Sequence, residues 1–483
     1  MRKLIIMMGI PIDDLSMSEV LDRLELFIAR GRATGKAHQV ATVNADFVVK
    51  AMRDPELRYL LQEADLATAD GMPLVWGARL LGVNLPGRVT GADLIPALAT
   101  RAAERGYSMY LLGAGPGVAQ RAAEALQAEN PGLRLAGCQS PPYGSILEMD
   151  PAILAEIRAS RPDILLVAFG NPKQEKWIGM YGAQLGVPVM IGVGGTLDFL
   201  AGNVRRAPDW MQQAGLEWLY RLLQEPRRMW KRYVTDLLGF SIFFSRQWWV
   251  MRRGGVPAAL LPTSDVVLVE GKAVINVQGR IDVRDYDSFG SQWAAALQET
   301  AHLVMNLEKA EFLDSSAIGA LVGLAKQARD AGGDLVLVQV PPAIQRTLNL
   351  LRLDRFFTIE ATVPAGLAAS DAPLPEPVAV REAWTVYRAP RRLDAQTAPE
   401  MTAHCLALLD ESPQLVIDFS DTLFLASAGL AALAELHRVA AAQAGELRLA
   451  GCAPDVRRVL SLVRFDKMLT VFEDVAMATA AAA

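Results

Sequence analysis

The stretch with the clearest potential for chemistry runs from residue 68 to residue 93 and contains a carboxylate, an arginine and a hydroxyl. Asp70 follows a short apolar run and precedes Gly71, so we predict that it lies where a strand ends and a helix begins. Open α/β sheets bind their ligands at such strand ends. There Asp70 can act as a general base toward a substrate hydroxyl, while Arg88 and Thr90 suit phosphate or carboxylate oxygens. The alternative is an ordinary Asp-Gly turn in which Asp70 serves only the local backbone.

These residues need a scaffold, and the chain from residue 3 to about residue 200 alternates regularly between strands and helices. Strands are predicted at 3–8, 38–43, 107–112, 164–169 and 187–193. The alternation is typical of an α/β domain with a Rossmann-like, mostly parallel sheet and helices on both faces. Polar or glycine-rich turns come after several of these strands and should gather along one edge of the sheet, at 42–46, 113–117, 170–176 and 194–198.

Two of these turns have competing interpretations. The glycines of 113–117 allow a phosphate to approach the backbone at a helix N-terminus, but tight strand-to-helix turns use glycine as well. Gln174 and Glu175 can face a ligand or be ordinary first-turn residues of a helix.

The composition bounds the class of protein. With 483 residues and 52% hydrophobic content, the chain can form two to four packed domains. The net charge of −5 is small for this length, so no nucleic-acid partner is expected. Three distant cysteines without metal-ligand spacing fit a reducing cytoplasm. The chain lacks an apolar run of eighteen residues, so no transmembrane helix is predicted, and the N-terminal segment is interpreted as a strand rather than a signal peptide.

Residues 205–253 have a different character, because ten arginines and lysines face only four acidic residues and alternate with many aromatic side chains. This is the composition of helices that lie in a membrane interface, where anionic lipid would attract them. The alternative is a basic helical hairpin whose aromatic residues pack on the preceding domain. We favour peripheral membrane contact through this appendage.

The C-terminal half contains an internal duplication, whose copies we call the first repeat (265–361) and the second repeat (384–475). A linker rich in alanine and proline is predicted between them, at 362–383. Both copies share a strand, a loop and a helix start, read from 303–319 in the first and 415–430 in the second. Two small α/β domains are therefore predicted.

Residues 1 to about 250 resemble the WecG/TagA/CpsF glycosyltransferases, family 26. The resemblance rests on six segments in order: Thr42-Val-Asn44, Ala69-Asp70-Gly71-Met72, Arg88-Val-Thr-Gly-Ala-Asp93, Gly170-Asn-Pro-Lys-Gln174-Glu-Lys-Trp177, Gly194-Gly-Thr-Leu-Asp198, and Arg206-Ala-Pro-Asp-Trp210 with the aromatic and basic residues after it. It implies transfer of N-acetylmannosamine or a related sugar from its UDP form to an undecaprenyl-diphosphate-linked sugar. It also implies inversion at the anomeric carbon, without a metal or other cofactor.

The resemblance also implies roles for individual residues. Asp70 would be the general base that deprotonates the acceptor hydroxyl. The pocket for the sugar nucleotide and the lipid diphosphate would be lined by Thr42, Asn44, Arg88 and Gln174. Arginines of the appendage would help to hold the diphosphate, and the candidates are Arg221, Arg227 and Arg228.

The two repeats resemble STAS domains, the fold of anti-sigma-factor antagonists. In such antagonists a partner kinase phosphorylates the second serine of an Asp-Ser-Ser element, and Ser316 has that place in the first repeat. The alternative for Ser316 is a plain helix-capping role. The second repeat departs from the pattern, because Ala426 replaces the aspartate and Ala428 the phosphorylated serine, so it is expected to be a degenerate copy.

Together these features predict an inverting glycosyltransferase of cell-surface polysaccharide synthesis, cytoplasmic and peripheral on the inner face of the membrane, regulated or localised by STAS domains. A kinase or anti-sigma-type protein is the expected partner of those domains, and self-association through the apolar surface of the appendage is a further option. The alternative is an inactive membrane-bound scaffold that acts through the STAS domains. A dinucleotide-dependent oxidoreductase using 113–117 is a more distant one, because that loop fits the fingerprint poorly.

Overall fold

The computed structural model describes most of the chain, namely residues 3–141, 150–213, 217–224, 226–253, 263–281, 286–354, 356–370, 378–381, 384–394, 397–422, 424–462, 465 and 468–480. Two compact units are present. The first contains 1–143, 155–175 and 187–371, and the second contains 144–154, 176–186 and 372–483.

The chain begins with an antiparallel hairpin of β1 (Leu4–Met7) and β2 (Ile10–Asp13). Its two turn residues, Met8 and Gly9, have φ of 49° and 84°, the pair of positive angles that a two-residue hairpin turn of right-handed twist requires. The first predicted strand is therefore present, but it pairs with β2 and not with the parallel sheet.

A six-stranded, fully parallel sheet comes next, and its order is β4-β3-β8-β7-β5-β6. Its strands are β3 (His38–Val43), β4 (Leu66–Ala69), β5 (Ser108–Gly113), β6 (Arg134–Gln139), β7 (Ile164–Ala168) and β8 (Val189–Gly192). Helix α1 (Met17–Thr34) precedes these strands. The helices between and after them are α2 (Ala45–Ala51), α3 (Pro55–Glu63), α4 (Met72–Leu80), α5 (Gly91–Arg105), α6 (Val118–Glu129), α7 (Pro151–Ser160), α8 (Lys173–Leu185) and α9 (Thr196–Leu200). The predicted parallel α/β fold is confirmed.

Alternating side chains of each strand enter two different cores, as the two-residue period of a strand requires. Val40 and Leu66 pack with α1, α5 and α6 on one face. Their neighbours Ala41 and Ala67 pack with α2, α3 and α4 on the other face. Local capping fixes where helices start; for example, Ser16 forms a capping box with Glu19 at the start of α1.

The appendage is helical, with α10 (Asp209–Gln213), α11 (Glu217–Gln224) and the long α12 (Pro226–Arg253). Phe240 and Phe244 of α12 are buried in the core beside α2 and α4. Other large apolar side chains of these helices are exposed, namely Trp210, Trp218, Leu223, Trp230, Leu237, Leu238, Ile242 and Trp249. The appendage thus packs through one face and leaves aromatic residues on another. Within the described residues, every helix is too short or too polar to cross a membrane.

The first repeat is a five-stranded sheet of order β13-β12-β11-β10-β9 in which only β9 is antiparallel to its neighbour. Its elements are β9 (Thr263–Val269), β10 (Lys272–Ile281), α13 (Tyr286–Glu299), β11 (His302–Leu313), α14 (Ser315–Asp330), β12 (Asp334–Val338), α15 (Pro342–Leu350), β13 (Thr358–Glu360) and α16 (Val363–Ser370).

The second repeat has the same strand order and sense, β14-β15-β17-β19-β20 with β14 antiparallel. Its elements are β14 (Val378–Arg381), β15 (Trp384–Arg388), β16 (Arg392–Leu393), α17 (Ala398–Glu411), β17 (Gln414–Asp418), β18 (Phe424–Leu425), α18 (Ser427–Ala442), β19 (Glu446–Ala450), α19 (Pro454–Leu462), β20 (Thr470–Phe472) and α20 (Val475–Ala480). The duplication predicted from the sequence is confirmed by this shared topology.

Part of the stretch predicted as a linker, 362–383, is regular structure. Helix α16 packs Val363 and Leu367 on the sheet of the first repeat, beside Val304 and Val336. Strand β14 belongs to the sheet of the second repeat. Residues 371–377 lie outside the described residues, so the stretch between the two folded elements is shorter than the composition suggested.

We expect Asp13→Ala to destabilise the protein by about 1–3 kcal/mol, because the buried Asp13 carboxylate accepts a 2.7 Å hydrogen bond from the Ala67 amide of edge strand β4. Denaturant unfolding measures the loss, and Asp14→Ala at the more exposed neighbouring position is the control. Equal unfolding midpoints for the two variants would contradict this role of Asp13.

Candidate active site

Four loops meet at the carboxyl edge of the parallel sheet, because the strands that precede them (β4, β3, β8 and β7) are direct neighbours. The loop after β4 carries Asp70, the loop after β3 carries Asn44, and the loops after β8 and β7 contain Gly194 and Gly170. The Asp70 amide donates to the Val43 carbonyl at 2.7 Å, which joins the ends of β4 and β3. The predicted gathering of these turns is therefore what the topology produces, at the edge where open α/β sheets bind ligands.

The backbone segments that carry Asp70 and Arg88 are neighbours on this edge. The backbone of 88–90 runs along the end of β4, since the Val89 amide donates to the Ala69 carbonyl at 2.9 Å. The Thr68 hydroxyl returns a 2.9 Å hydrogen bond to the Val89 carbonyl. Asp70 is partly exposed, and Gly71, with φ of 120°, is the N-cap residue of α4. The residues that bear this carboxylate and this guanidinium thus lie on adjacent backbone segments.

Arg88 belongs to a network of four charged residues. It donates to the Glu217 carboxylate at 3.2 Å, and Glu217 begins helix α11. Arg206 lies 2.7 Å from Asp93 and 3.7 Å from Glu217. The N-terminal part of the appendage is thereby tied to the carboxyl edge of the sheet.

The Asp93 carboxyl is held ionised in this network. Burial raises its pKa, but hydrogen bonds from Arg206 and Thr90, with the nearby Arg88 charge, outweigh burial and leave the pKa below its ordinary value. The Thr90 hydroxyl also accepts from the Asp93 amide at 3.2 Å and so caps α5. Thr90 is therefore engaged locally.

Gln174 ties two of the loops together from inside the protein. Its side-chain oxygen accepts from the Gly170 amide at 3.1 Å and from the Gly194 amide at 2.9 Å. Its side-chain nitrogen donates to Glu175 at 2.8 Å, and Gln174 is only 1% exposed. These contacts make Gln174 a residue that positions the loops after β7 and β8, rather than one whose side chain opens toward solvent.

Glu175 is buried beside Gln174, and among the described residues its second carboxylate oxygen has no hydrogen-bond partner. Burial raises the pKa of Glu175 to about 7. Gly192 leaves the necessary room, because a Cβ there would lie 2.6 Å from side-chain atoms of both Gln174 and Glu175. Both residues lie in the first turn of α8, as one of the two interpretations of the sequence predicted. Both side chains are buried.

Two other predicted residues are also engaged in the fold of this edge. The buried Thr42 hydroxyl donates to the Gly192 carbonyl at 3.3 Å. Asn44 is the N-cap of α2, and its side-chain oxygen accepts from the Phe47 amide at 3.2 Å. Thr42 therefore joins β3 to β8, and Asn44 fixes the start of a helix at the site.

The predicted arginines of the appendage lie outside the described side chains. Arg221 belongs to α11, one turn after Glu217, and Arg227 and Arg228 belong to the start of α12.

A second cation at this edge was missed by the sequence analysis. Lys50 of α2 donates to Asp46 at 2.9 Å and to the Asn171 carbonyl at 3.0 Å in the loop after β7. Asn171 in turn donates to Asp46 at 3.3 Å. The sequence shows Asn171 three positions before the helical pair Gln174 and Glu175. Its partner Lys50 is 121 residues away in the chain, so no local pattern predicts this contact.

Packing explains the first glycine of the turn at 113–117. A Cβ on Gly113, which has φ of 108°, would lie 2.8 Å from the Ala168 backbone. The Ala114 amide donates to the Ala168 carbonyl at 2.9 Å. The tight-turn interpretation accounts for these contacts, and the dinucleotide interpretation is not needed for them.

Residues 5–254 match the model of the "Glycosyl transferase WecG/TagA/CpsF family", which is more than half of the chain. The chain belongs to this family. Residues 263–366 and 377–478 each match the model of the STAS domain. The chain is therefore a glycosyltransferase with two C-terminal STAS domains, as the sequence analysis inferred from its motifs.

Two curated relatives are named N-acetylglucosaminyldiphosphoundecaprenol N-acetyl-beta-D-mannosaminyltransferase. The protein from Bacillus spizizenii is 34% identical over 206 residues, covering 41% of this chain and 78% of the relative. The protein from Bacillus subtilis is 33% identical over 197 residues, covering 41% of this chain and 75% of the relative. Among solved structures, an anti-sigma factor antagonist from Mycobacterium paratuberculosis is 25% identical, and the match covers 23% of this chain and 94% of that protein. Its TM-score is 0.21, and a structural likeness at this level supports no conclusion about this chain.

We expect the contribution of Glu175 to the stability of the wild-type protein to fall as the pH rises from the ordinary pKa of a glutamate to about 7, because burial favours the neutral form of this group. The contribution of this group is complete below the ordinary pKa of a glutamate and is lost above its raised pKa of about 7. Glu175→Gln cannot ionise, so it should lose less stability between about pH 5 and pH 8, by on the order of 3 kcal/mol.

Denaturant unfolding at several pH values measures this difference, with Glu129→Gln on the exposed end of α6 as the control. Parallel pH profiles for wild type and Glu175→Gln would refute the buried, neutral state of this carboxyl.

Proposed function

We propose that this glycosyltransferase moves a sugar from a UDP-sugar to a sugar carried on undecaprenyl diphosphate, with N-acetylmannosamine as the first candidate. The names of the two Bacillus relatives support this donor sugar and this acceptor. The observation that carries the proposal is that the backbone segments bearing Asp70 and Arg88 lie side by side at the end of β4, joined by the hydrogen bonds of Val89.

Asp70 is assigned the role of general base. It takes the proton of the acceptor hydroxyl while that oxygen attacks the anomeric carbon of the donor. The new carbon–oxygen bond forms as the bond from the anomeric carbon to the UDP phosphate oxygen breaks, and UDP leaves with the bonding electrons. Attack opposite the leaving group inverts the anomeric centre. The partial exposure of Asp70 on the carboxyl edge is compatible with access by a bulky acceptor.

The role of neutralising the negative charge on the departing UDP is assigned to cationic side chains rather than to a metal ion. Arg88 is the candidate on the sheet edge, and its fork of donors suits phosphate oxygens. Lys50, bridged to the loop after β7, is a second cation on the same edge. Arg221, Arg227 and Arg228 remain candidates on the appendage, whose helix α11 is linked to Arg88 through Glu217. Thr42, Asn44 and Gln174 shape the pocket by fixing its backbone loops.

The appendage is proposed to place the enzyme on the inner face of the cell membrane, where a lipid-linked acceptor is reached. Its exposed aromatic and apolar side chains include Trp218, Trp230 and Trp249, which are 43%, 58% and 50% exposed. Such side chains beside many arginines suit a headgroup interface. We place the enzyme in the synthesis of a cell-surface polysaccharide.

The STAS domains are proposed to regulate the transferase. Ser316 is 6% exposed, and its amide donates to the Asp314 carboxylate at 2.9 Å, so the helix is capped by Asp314 rather than by the serine. Phosphorylation of Ser316 by a partner kinase stays a prediction, and it requires local opening at the start of α14.

We expect Asp70→Asn to lower acceptor-dependent release of UDP from UDP-N-acetylmannosamine by on the order of a hundredfold or more, because the amide cannot take the proton. The assay uses a short-chain lipid-diphosphate-linked N-acetylglucosamine as acceptor, and Asp22→Asn on the exposed face of α1 is the control.

Full activity of Asp70→Asn would remove Asp70 from the mechanism. Absence of release from any UDP-sugar by folded wild-type protein would instead favour the inactive scaffold that acts through its STAS domains.

A further inference from the structure

Strand β1 belongs to two hydrophobic cores at once. Ile5 and Met7 point into the core of the N-terminal domain. Leu4 and Ile6, on the opposite face of the same strand, are part of the core of the first repeat. The first strand of the transferase therefore completes the hydrophobic core of the first STAS domain.

Helix α14 of the first repeat lies directly against this strand. A Cβ on Gly319 would lie 2.4 Å from the Leu4 carbonyl oxygen, and its other near neighbours are also atoms of Leu4. Such a distance is far below van der Waals contact, so only glycine allows the backbone of β1 to approach the helix this closely.

A buried glutamine joins three elements at one end of this contact. The Gln247 side chain of α12 accepts from the Met8 amide and donates to the Ile6 carbonyl, both at 2.6 Å. It also donates to the Ser315 hydroxyl of α14 at 3.2 Å. Because Gln247 is 1% exposed, its carboxamide has these protein groups as partners in place of water.

The other end of α14 is anchored on α3 of the transferase. Lys326 donates to the Ala64 carbonyl at 2.8 Å. Arg329 donates to Glu63 at 2.8 Å and, within its own repeat, to Asp334 at 2.8 Å and to the Phe356 carbonyl at 2.7 Å. One face of α14, from Ser315 to Arg329, is thus paired with the transferase along its length.

The second repeat supplies an internal comparison, because α14 and α18 align without gaps from their first residues. Gly319, Gly323 and Lys326 of α14 are buried. Their counterparts in α18 are Ala431, Glu435 and Arg438, of which the first is partly exposed and the other two are exposed. The repeat fold itself therefore does not require glycine at the place of Gly319, and the transferase contact accounts for it.

The hairpin continues this contact to the candidate active site. Strand β2 comes after β1, and its Asp13 accepts from the Ala67 amide of β4 at 2.7 Å. Asp70 is the residue after β4. A continuous set of packed backbone elements thus runs from α14 through β1, β2 and β4 to the general-base candidate.

We propose that the first STAS domain is a permanent intramolecular subunit of the transferase, seated by α14 on the β1–β2 hairpin, and that this seat holds β4 and Asp70 in their working position. A protein that binds the same face of α14 would have to displace the hairpin, so binding of such a partner and transferase activity exclude one another. The effect on activity rests on the proposed transferase function; the seat itself does not.

The test compares Gly319→Leu with the matched substitution Ala431→Leu in the second repeat, both in the full chain. Hydrogen exchange followed by mass spectrometry reports the amides of 4–13. We expect exchange there to be at least about tenfold faster in Gly319→Leu and unchanged in Ala431→Leu, because only the first substitution opens the seat. Strand β12 should stay protected in both.

Gln247→Leu is the second variant, since it lies outside the repeat and leaves the Met8 amide and the Ile6 carbonyl without their side-chain partner. It should also speed hydrogen exchange in the hairpin. If Gly319→Leu fails to fold, the exchange of Gln247→Leu decides whether the proposed seat exists. Wild-type exchange of the hairpin in both folded variants would overturn the proposal, as would equal acceleration in Ala431→Leu.

UDP release by the same samples separates the two claims. Faster hairpin exchange together with at least about tenfold lower activity supports the seat and its effect on Asp70. Faster hairpin exchange with unchanged activity would overturn the claim that the seat holds Asp70 in its working position. If wild-type protein is inactive on every UDP-sugar, the proposed function fails while the exchange result still decides the seat.

Discussion

The geometry of the candidate site depends on one buried carboxamide, that of Gln174. Its oxygen accepts from the backbone amides of Gly170 and Gly194, which belong to loops after two adjacent strands. A satisfied polar group in a protein interior fixes the relative position of its partners, because any other arrangement leaves a buried group unpaired. Glu175 and the missing side chain of Gly192 complete this arrangement. Buried residues therefore hold the backbone loops of the sheet edge that carries Asp70.

A second constraint is the sharing of strand β1 between two cores. Matching by family places a boundary between residues 254 and 263, with a glycosyltransferase before it and a STAS domain after it. The hydrophobic packing crosses that boundary, because Leu4 and Ile6 are core residues of the first STAS domain. Segments from two sequence families thus share strand β1, since both hydrophobic cores include residues of the hairpin. The shared strand therefore connects the first STAS domain, for which a regulatory role is proposed, to the strand that precedes the proposed general base Asp70.

Features that depend on local periodicity and on strand ends were predictable from the sequence. Strand β3 was placed at its observed bounds, and the turn carrying Asp70 was expected at the end of a strand, where it lies. Strand β6 was missed because it is an edge strand whose residues are half-exposed or exposed and show no alternation. The pairing of Arg88 with Glu217 was not foreseen, because an ion pair across 129 residues leaves no local pattern. The appendage was assigned chiefly to membrane, yet part of it is core.

If the donor binds on the carboxyl edge formed by β4, β3, β8 and β7, its nucleotide should protect the loops of that edge. Hydrogen exchange of the full chain with and without UDP measures this protection. We expect slower exchange in three of these loops, 44–47, 70–72 and 170–175, and no change at 113–117, which follows β5 outside these four strands. Protection confined to 113–117, or absent from all of these loops while UDP binds, would contradict a donor site on this edge.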